Sequence, residues 1–378
     1  MRLISTLDEV LPLLVAAFVV AALLALVLTP LVLRVAIRLD NVDHPGARRV
    51  NAAPVPRGGG VAVAVAFLLV AVAGILINAQ TRAVPLPWSL KPEELVGLLA
   101  GGVVATLLGI LDDTFQLRAR WQLLGQLGLA ALAVIAGITV TFLNNPLGPG
   151  NINLSEPFAI GFTVLWIVGM INSINFIDGL DGLSTGIALI AAVTLGLISL
   201  TTAISQPFVG ILCFALAGSL LGFLRWNFHP ATIFIGTSGV MFVGYTLAVL
   251  SILGTAKVAV ALLVLGVPIL DTFWIIVRRL GAGRSPFTPD RGHIHHRLLD
   301  LGLSHSQTVL VIYVLCIALA ALSFVLSGTG PVYAFLGLAV AFGLALFLLT
   351  RGETGAALEA ETYEGAHEEG REETAPAD

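Results

Sequence analysis

The chain has 378 residues, 57% of them hydrophobic and 11% charged, with a formal net charge of -4 and a mean hydropathy of +0.98. Soluble proteins carry about 25% charged residues, so the composition excludes a soluble globular enzyme and points to a polytopic membrane protein. Cys213 and Cys316 both lie inside apolar runs, which argues against a disulfide framework and a thiolate metal centre.

Apolar windows of about 17–25 residues match a ~30 Å hydrocarbon core crossed at 1.5 Å per residue. They predict an all-α bundle of about 11 transmembrane helices (10–11), near 10–33, 60–78, 95–111, 122–143, 158–174, 184–204, 207–224, 233–254, 258–277, 307–326 and 332–349. The first run follows Asp8 and Glu9 and ends in no small-residue cleavage site, so it reads as an uncleaved span. Alternate connections hold Arg34, Arg38, Arg48, Arg49 and Arg57, then Arg118 and Arg120, then Arg225, then Arg278, Arg279, Arg284, Arg291 and Arg297, with Arg351 and Arg371 in the tail. Only Arg2, Arg82, Lys91 and Lys257 of the 19 basic residues fall on the other side. The positive-inside rule therefore predicts an outside N-terminus and a cytoplasmic C-terminus. Residues 1–350 read as one transmembrane domain with cytoplasmic active-site loops, and the Glu-rich residues 351–378 as a disordered acidic tail.

The unusual polar clusters all fall on the predicted cytoplasmic side. The first loop, D-H-P-G-A-R-R-V-N-A-A-P-V-P-R-G-G-G from Asp43 to Gly60, offers arginines to phosphate oxygens and glycines that let backbone approach a ligand. Arg48 and Arg49 serve topology equally well, whereas Arg57, between Pro56 and the glycines, suits a functional role. In L-D-D-T-F-Q-L, Asp112 and Asp113 repel one another unless a cation lies near, and oxygen ligands of this kind suit Mg²⁺.

The densest stretch is N-S-I-N-F-I-D-G-L-D-G-L, Asn172 to Leu183. Asn172, Asn175, Asp178 and Asp181 stand where a membrane helix should meet water, and carboxylates there are costly unless they hold a cation or substrate. A solvated loop capping the next helix is the bland alternative. Further on, Asn227 and Phe234 fit hydrogen bonding to and stacking on a nucleobase, while Trp226 and Phe228 read as an interfacial aromatic belt. The last loop ends in D-R-G-H-I-H-H-R, Asp290 to Arg297. His293, His295 and His296 suggest a transition-metal site in isolation. The neighbouring arginines favour diphosphate binding or proton shuttling instead, and a plain surface role stays open.

In this order, these stretches resemble the polyprenyl-phosphate N-acetylhexosamine-1-phosphate transferase superfamily (glycosyltransferase 4 family), over about Asp43 to Leu301. The H-I-H-H form is similar to the undecaprenyl-phosphate N-acetylglucosamine-1-phosphate transferase branch, the muropeptide branch more often showing H-H-H. The resemblance implies a multi-pass enzyme of the bacterial cytoplasmic membrane, with its active site facing the cytoplasm. It implies transfer of a sugar 1-phosphate from a UDP-sugar to undecaprenyl phosphate, releasing UMP, in cell-wall or lipopolysaccharide synthesis. Mg²⁺, with Mn²⁺ as a substitute, would be held by Asp112, Asp113 and Asp178. The catalytic set would be those three with His293, His295 and His296. Arg57, Asn172, Asn175, Asp181, Asn227 and Phe234 would bind substrate. Membrane lipids and a second copy of the chain are the other partners implied, and no nucleic acid is.

Three positions depart from the family pattern: Thr237 stands at a metal-binding Asp, Gln122 at a Lys after the Asp-Asp pair, and Asn51 at a His or Lys before the P-V-P-R-G-G stretch. They keep open a catalytically weak relative that binds polyprenyl phosphate or nucleotide sugar. A phospho-N-acetylmuramoyl-pentapeptide-type transferase is the other alternative. A transporter would need polar residues at mid-membrane, and here the clusters lie at one face.

Overall fold

The computed structural model describes residues 2–44, 54–81, 84, 90–145, 148, 150–201, 206–254, 257–281, 283, 285, 292–326 and 328–344. The predicted tail 351–378 lies outside them, as do Arg48, Arg49, Asn51, Arg284 and Arg291. The elements follow as α1 (Arg2–Arg38), β1 (Val42–Asp43), β2 (Val55–Pro56), α2 (Gly60–Thr81), α3 (Pro92–Phe115), α4 (Ala119–Ile135), β3 (Phe142–Asn144), β4 (Asn151–Asn153), α5 (Glu156–Ile177), α6 (Leu183–Thr201), α7 (Pro207–Asn227), α8 (Gly236–Leu253), α9 (Lys257–Val264), α10 (Gly266–Gly281), α11 (Ile294–Asp300) and α12 (His305–Val325). A last apolar helix, α13, covers Gly330–Leu344. Residues through Tyr333 form one compact unit, and the described residues from Ala334 to Leu344 fall outside it.

Among the described residues, α1, α2, α3, α5, α6, α7, α8 and α12 are the 8 helices long and apolar enough to cross a membrane, and α9 with α10 makes up to 9. The sequence pattern predicts about 11. The difference lies in α4 and α13, which are apolar but shorter than a full span, and in α9–α10, which bends by 77° instead of running straight through 258–277. Pro268 accounts for that bend: lacking an N–H, it cannot bond the Val264 carbonyl, and the chain breaks at Leu265.

The predicted span 122–143 stops at Ile135. Beyond it the chain turns, and Phe142–Asn144 pairs antiparallel with Asn151–Asn153, Phe142 opposite Asn153. With the pairing of Val42–Asp43 and Val55–Pro56, this adds two small ribbons to a bundle expected to be all-α.

α6, α7 and α8 are mostly buried and form the centre, while fewer than half of the residues of α1, α2 and α12 are buried. On α1 the exposed side carries Leu11, Val15, Leu23 and Val27, an apolar face that lipid satisfies and water does not. α1 packs along α7, and α3 and α5 both pack against α8. α2 meets α8 backbone to backbone, since a Cβ on Gly60 would lie 2.0 Å from Gly239 Cα. That contact aligns the first loop with the entry to α8. The Gly59 and Gly60 amides donate to the Phe234 and Ile235 carbonyls at 2.9 and 2.8 Å, and the Phe234 amide donates to Pro56 at 2.8 Å.

Candidate active site

Asp112 and Asp113 occupy the last turn of α3 and point to different partners. Asp112 Oδ1 accepts from the Leu117 amide at 3.0 Å and from Gln122 Nε2 at 2.7 Å. Asp113 accepts from the Thr237 and Ser238 amides at 2.7 and 3.0 Å, so it caps α8 from another helix. Those amides have no carbonyl partner within their own helix, and the helix dipole favours an anion there.

The loop after α5 is held from several sides. Asp178 accepts from the Ser184 hydroxyl at 2.5 Å. A side chain on Gly179 would meet His295 Nε2 at 2.1 Å, so only glycine lets the loop pass beneath that imidazole. Asp181 Oδ2 lies 2.7 Å from His229 Nδ1 and accepts from the Ala231 amide at 3.1 Å, while its own amide donates to His305 Nε2 at 2.8 Å. The Tyr313 hydroxyl closes the far end on the Gly182 carbonyl.

These segments enclose a cavity of about 310 Å³. Of the sequence-predicted site residues it gathers Arg57, Asp113, Asn175, Asp178, Asp181, Asn227, Phe234 and His296. Thr237 lines it as well. Arg57 is ion-paired to Asp43, which also lines the wall. Asn227 is held by the Thr185 hydroxyl at 2.7 Å and the Ile233 carbonyl at 3.1 Å. Loss of hydration around the carboxylate pushes Asp178 up to about 7; the Ser184 hydrogen bond opposes this, Asp113 and Asp181 add repulsion, and Arg57 opposes. The cavity is therefore acidic and short of positive charge.

Four predicted residues do not line this cavity. Asp112 is engaged as above. Asn172 on α5 donates to Gln126 Oε1 at 2.6 Å, so Gln122 and Gln126, one turn apart on α4, anchor α3 and α5 in turn. His293 Nδ1 lies 2.6 Å from Asp271 Oδ2, and the Ile294 amide donates to Asp271 Oδ1 at 2.8 Å. His295 is 1% exposed and stacks on His293, with ring centroids 5.4 Å apart. Burial, reinforced by its histidine neighbours, holds it well below the usual imidazole range, so it stays neutral near pH 7. The three histidines thus divide their work: one meets an acid, one wedges the Gly179 loop, and one reaches the cavity.

The sequence reading missed Asp43, His229, His305 and Asp271. Asp271 is 0% exposed on α10, and a carboxylate inside an apolar run is itself a functional signal. His229 and His305 carried no such signal, each being a lone histidine beside a helix end.

Fold and cavity together define a polytopic membrane protein with a polar, carboxylate-lined chamber closed by the loops between its helices. The chain belongs to glycosyl transferase family 4, whose sequence profile matches residues 95–255. It is 37% identical over 323 residues to the probable undecaprenyl-phosphate N-acetylglucosaminyl 1-phosphate transferase of Bacillus subtilis (strain 168), covering 82% of this chain and 84% of that protein. It is 35% identical over 318 residues to the decaprenyl-phosphate N-acetylglucosaminephosphotransferase of Mycobacterium leprae (strain TN), covering 78% of each. A phospho-N-acetylmuramoyl-pentapeptide-transferase of Desulforudis audaxviator (strain MP104C) is 32% identical over 338 residues, covering 82% of this chain and 97% of that protein.

Proposed function

We propose that this protein transfers N-acetylglucosamine 1-phosphate from UDP-N-acetylglucosamine to undecaprenyl phosphate, releasing UMP. In the net exchange, a lipid phosphate oxygen becomes bonded to the sugar-bearing phosphorus, and the bond from that phosphorus to the UMP oxygen breaks. One observation carries this reading: Asp113, Asp178 and Asp181 converge with Arg57 and His296 on one cavity in a chain of this family. The relatives named above for N-acetylglucosamine transfer favour that sugar over the muropeptide reading.

Two anionic substrates must meet, and phosphoryl transfer rests on positioning and charge stabilisation. Arg57, set by Asp43, offers a fixed fork to phosphate oxygens. His296 faces the same space, and Asn227 and Phe234 offer an amide and a ring for the uracil. The oxygen-rich wall fits Mg²⁺, with Asp178 and Asp113, two carboxylates facing one cavity, as the residues that would hold it. Bound there, a divalent ion supplies charge to offset the repulsion between the two phosphate groups.

The distribution of basic residues supports a cytoplasmic cavity in the bacterial inner membrane, an outside N-terminus, and 11 crossings in which α4, the bent α9–α10 pair and α13 each count once. Residues 1–350 form the transferase domain in this reading, and 351–378 an acidic tail. Cys213 and Cys316 are buried, so a cysteine placed at Gly283 should react with impermeant maleimide only after the cytoplasmic face is opened. Labelling in intact cells would reverse the orientation. The function itself is tested with the full chain in lipid nanodiscs, undecaprenyl phosphate and a panel of UDP-sugars. UMP release with UDP-N-acetylglucosamine alone is the expected result, and none with any sugar would overturn the reading.

A further inference from the structure

A second donor set stands at the wall of the same cavity and differs in kind from the carboxylates beside it. Asp181, His229 and His305 come from the α5–α6 loop, the α7–α8 loop and the first residue of α12. One ligand atom from each lies within 4.8 Å of the other two. The His229 and His305 rings stack nearly parallel, 4.1 Å between centroids and 16° between planes, with their nitrogens at 2.7 and 3.9 Å from one oxygen, Asp181 Oδ2.

We propose that Asp181, His229 and His305 form a binding site for a transition-metal ion of the Zn²⁺ class, distinct from the oxygen-only Mg²⁺ position. Two imidazole nitrogens and one carboxylate oxygen are the donor set such ions select, whereas Mg²⁺ prefers oxygen alone. Three protein ligands leave a position open to water or to a substrate oxygen. Asp181 and His305 also line the cavity, so an ion held by them would stand at its wall.

The proton balance closes without loss. His229 now meets Asp181 through Nδ1, and its side chain is 40% exposed. An ion taking Nδ1 moves that proton to Nε2, leaving a neutral ring. Ligation through His305 Nε2 displaces the bond from the Asp181 amide, one hydrogen bond against a metal–ligand bond. The rival arrangement is a metal-free clasp in which the same three residues only tie loops together.

The test uses the full chain in nanodiscs, with the affinity tag removed and metals stripped by chelator. Co²⁺ is titrated in while its visible absorption is followed, and bound Zn²⁺ is then measured by elemental analysis after gel filtration. One Co²⁺ per chain should bind, yield to Zn²⁺, and resist a large excess of Mg²⁺. His229→Gln and His305→Gln should each weaken binding at least about 100-fold, the upper end for losing a mere supporting partner. His293→Gln and His296→Gln should leave it unchanged. Should His305→Gln fail to fold, His229→Gln on the exposed side carries the comparison, with thermal midpoints measured without metal. The metal-free clasp is the answer if wild type binds no Co²⁺ at micromolar concentration, or if both variants retain it. Loss in the His296 variant alone would move the ion to α11. Metal content and UMP release are read separately, so failure here leaves the transferase reading intact.

Discussion

The two aspartate pairs look alike in sequence and differ in the folded chain. At the end of α3, Asp112 and Asp113 are each supplied with two N–H donors, from Leu117 and Gln122 and from Thr237 and Ser238. In the loop after α5, Asp178 receives one hydroxyl, and loss of hydration pushes its carboxyl up to about 7. Asp181 Oδ2 has the His229 ring and the Ala231 amide as partners, with His305 Nε2 3.9 Å away. Burial raises Asp113 too, against its two amide donors, so the contrast is sharpest for Asp178, which has one hydroxyl. We therefore expect the carboxylate least provided with donors, Asp178, to be the most sensitive to substitution.

The largest test of that contrast is Asp178→Asn. Removing a charge that stabilises a reacting centre typically costs about 10²–10³-fold in rate, and UMP release should fall by that much. Stability should move the other way. A carboxyl whose folded value is raised contributes stability that is fully present below its ordinary 3.8 and lost as pH rises through about 7. At pH 8 the buried charge is a burden, so the Asn variant should melt no lower than wild type. A fall in melting temperature with turnover unchanged would make Asp178 structural.

Next in size is Gly179→Ala. The new methyl group would collide with His295, and overpacking costs typically about 1–3 kcal/mol. Displacing Asp178 by about 1 Å should cost on the order of 10²-fold in turnover. Adding His295→Ala removes the obstacle, and the double variant should recover much of that loss. No recovery would mean that His295 acts on substrate rather than on the loop.

A smaller effect comes from pH. If Mg²⁺ binds Asp178 as proposed, it displaces the carboxyl proton, so the Mg²⁺ concentration for half-saturation should rise roughly tenfold for each pH unit below about 7 and stay level above it. A flat profile from pH 6 to 8, read by UMP release at saturating substrates, would remove Asp178 from the metal.

How far the sequence reaches follows from which interactions are local. Apolar runs marked the spans because hydration penalties act residue by residue. The residues of N-S-I-N-F-I-D-G-L-D-G-L are brought together largely by their own loop, and Asn175, Asp178 and Asp181 do meet at one cavity. Partners that arrive from distant segments were not legible: His305 lies 124 residues from Asp181, and Asp271 lies 22 from His293. The 77° bend breaks a span expected to run straight through 258–277, and the residue that marks it, Pro268, went unread. Asn172 shows the converse limit. It belongs to the most specific stretch of the chain, yet its amide faces Gln126 on α4 and not the cavity.

The smallest effect should come from Asp112→Asn, which separates the two members of the α3 pair. Asparagine keeps a carbonyl oxygen where Oδ1 now accepts from the Leu117 amide and Gln122, so both contacts survive in form. What is lost is charge assistance, which roughly doubles the strength of such bonds. Asp112 lines none of the cavity, so the cost should be below about 1.4 kcal/mol, or tenfold in turnover. Asp113→Asn is the matched control. It sets an amide N–H₂ against one of the two backbone donors at the start of α8, where capping contributes about 1 kcal/mol, and it also strips a carboxylate from the cavity wall. Its loss in UMP release should clearly exceed that of the Asp112 variant. Equal losses would show that the pair acts as a unit on a shared ligand, and the distinction drawn from their hydrogen bonds would fail.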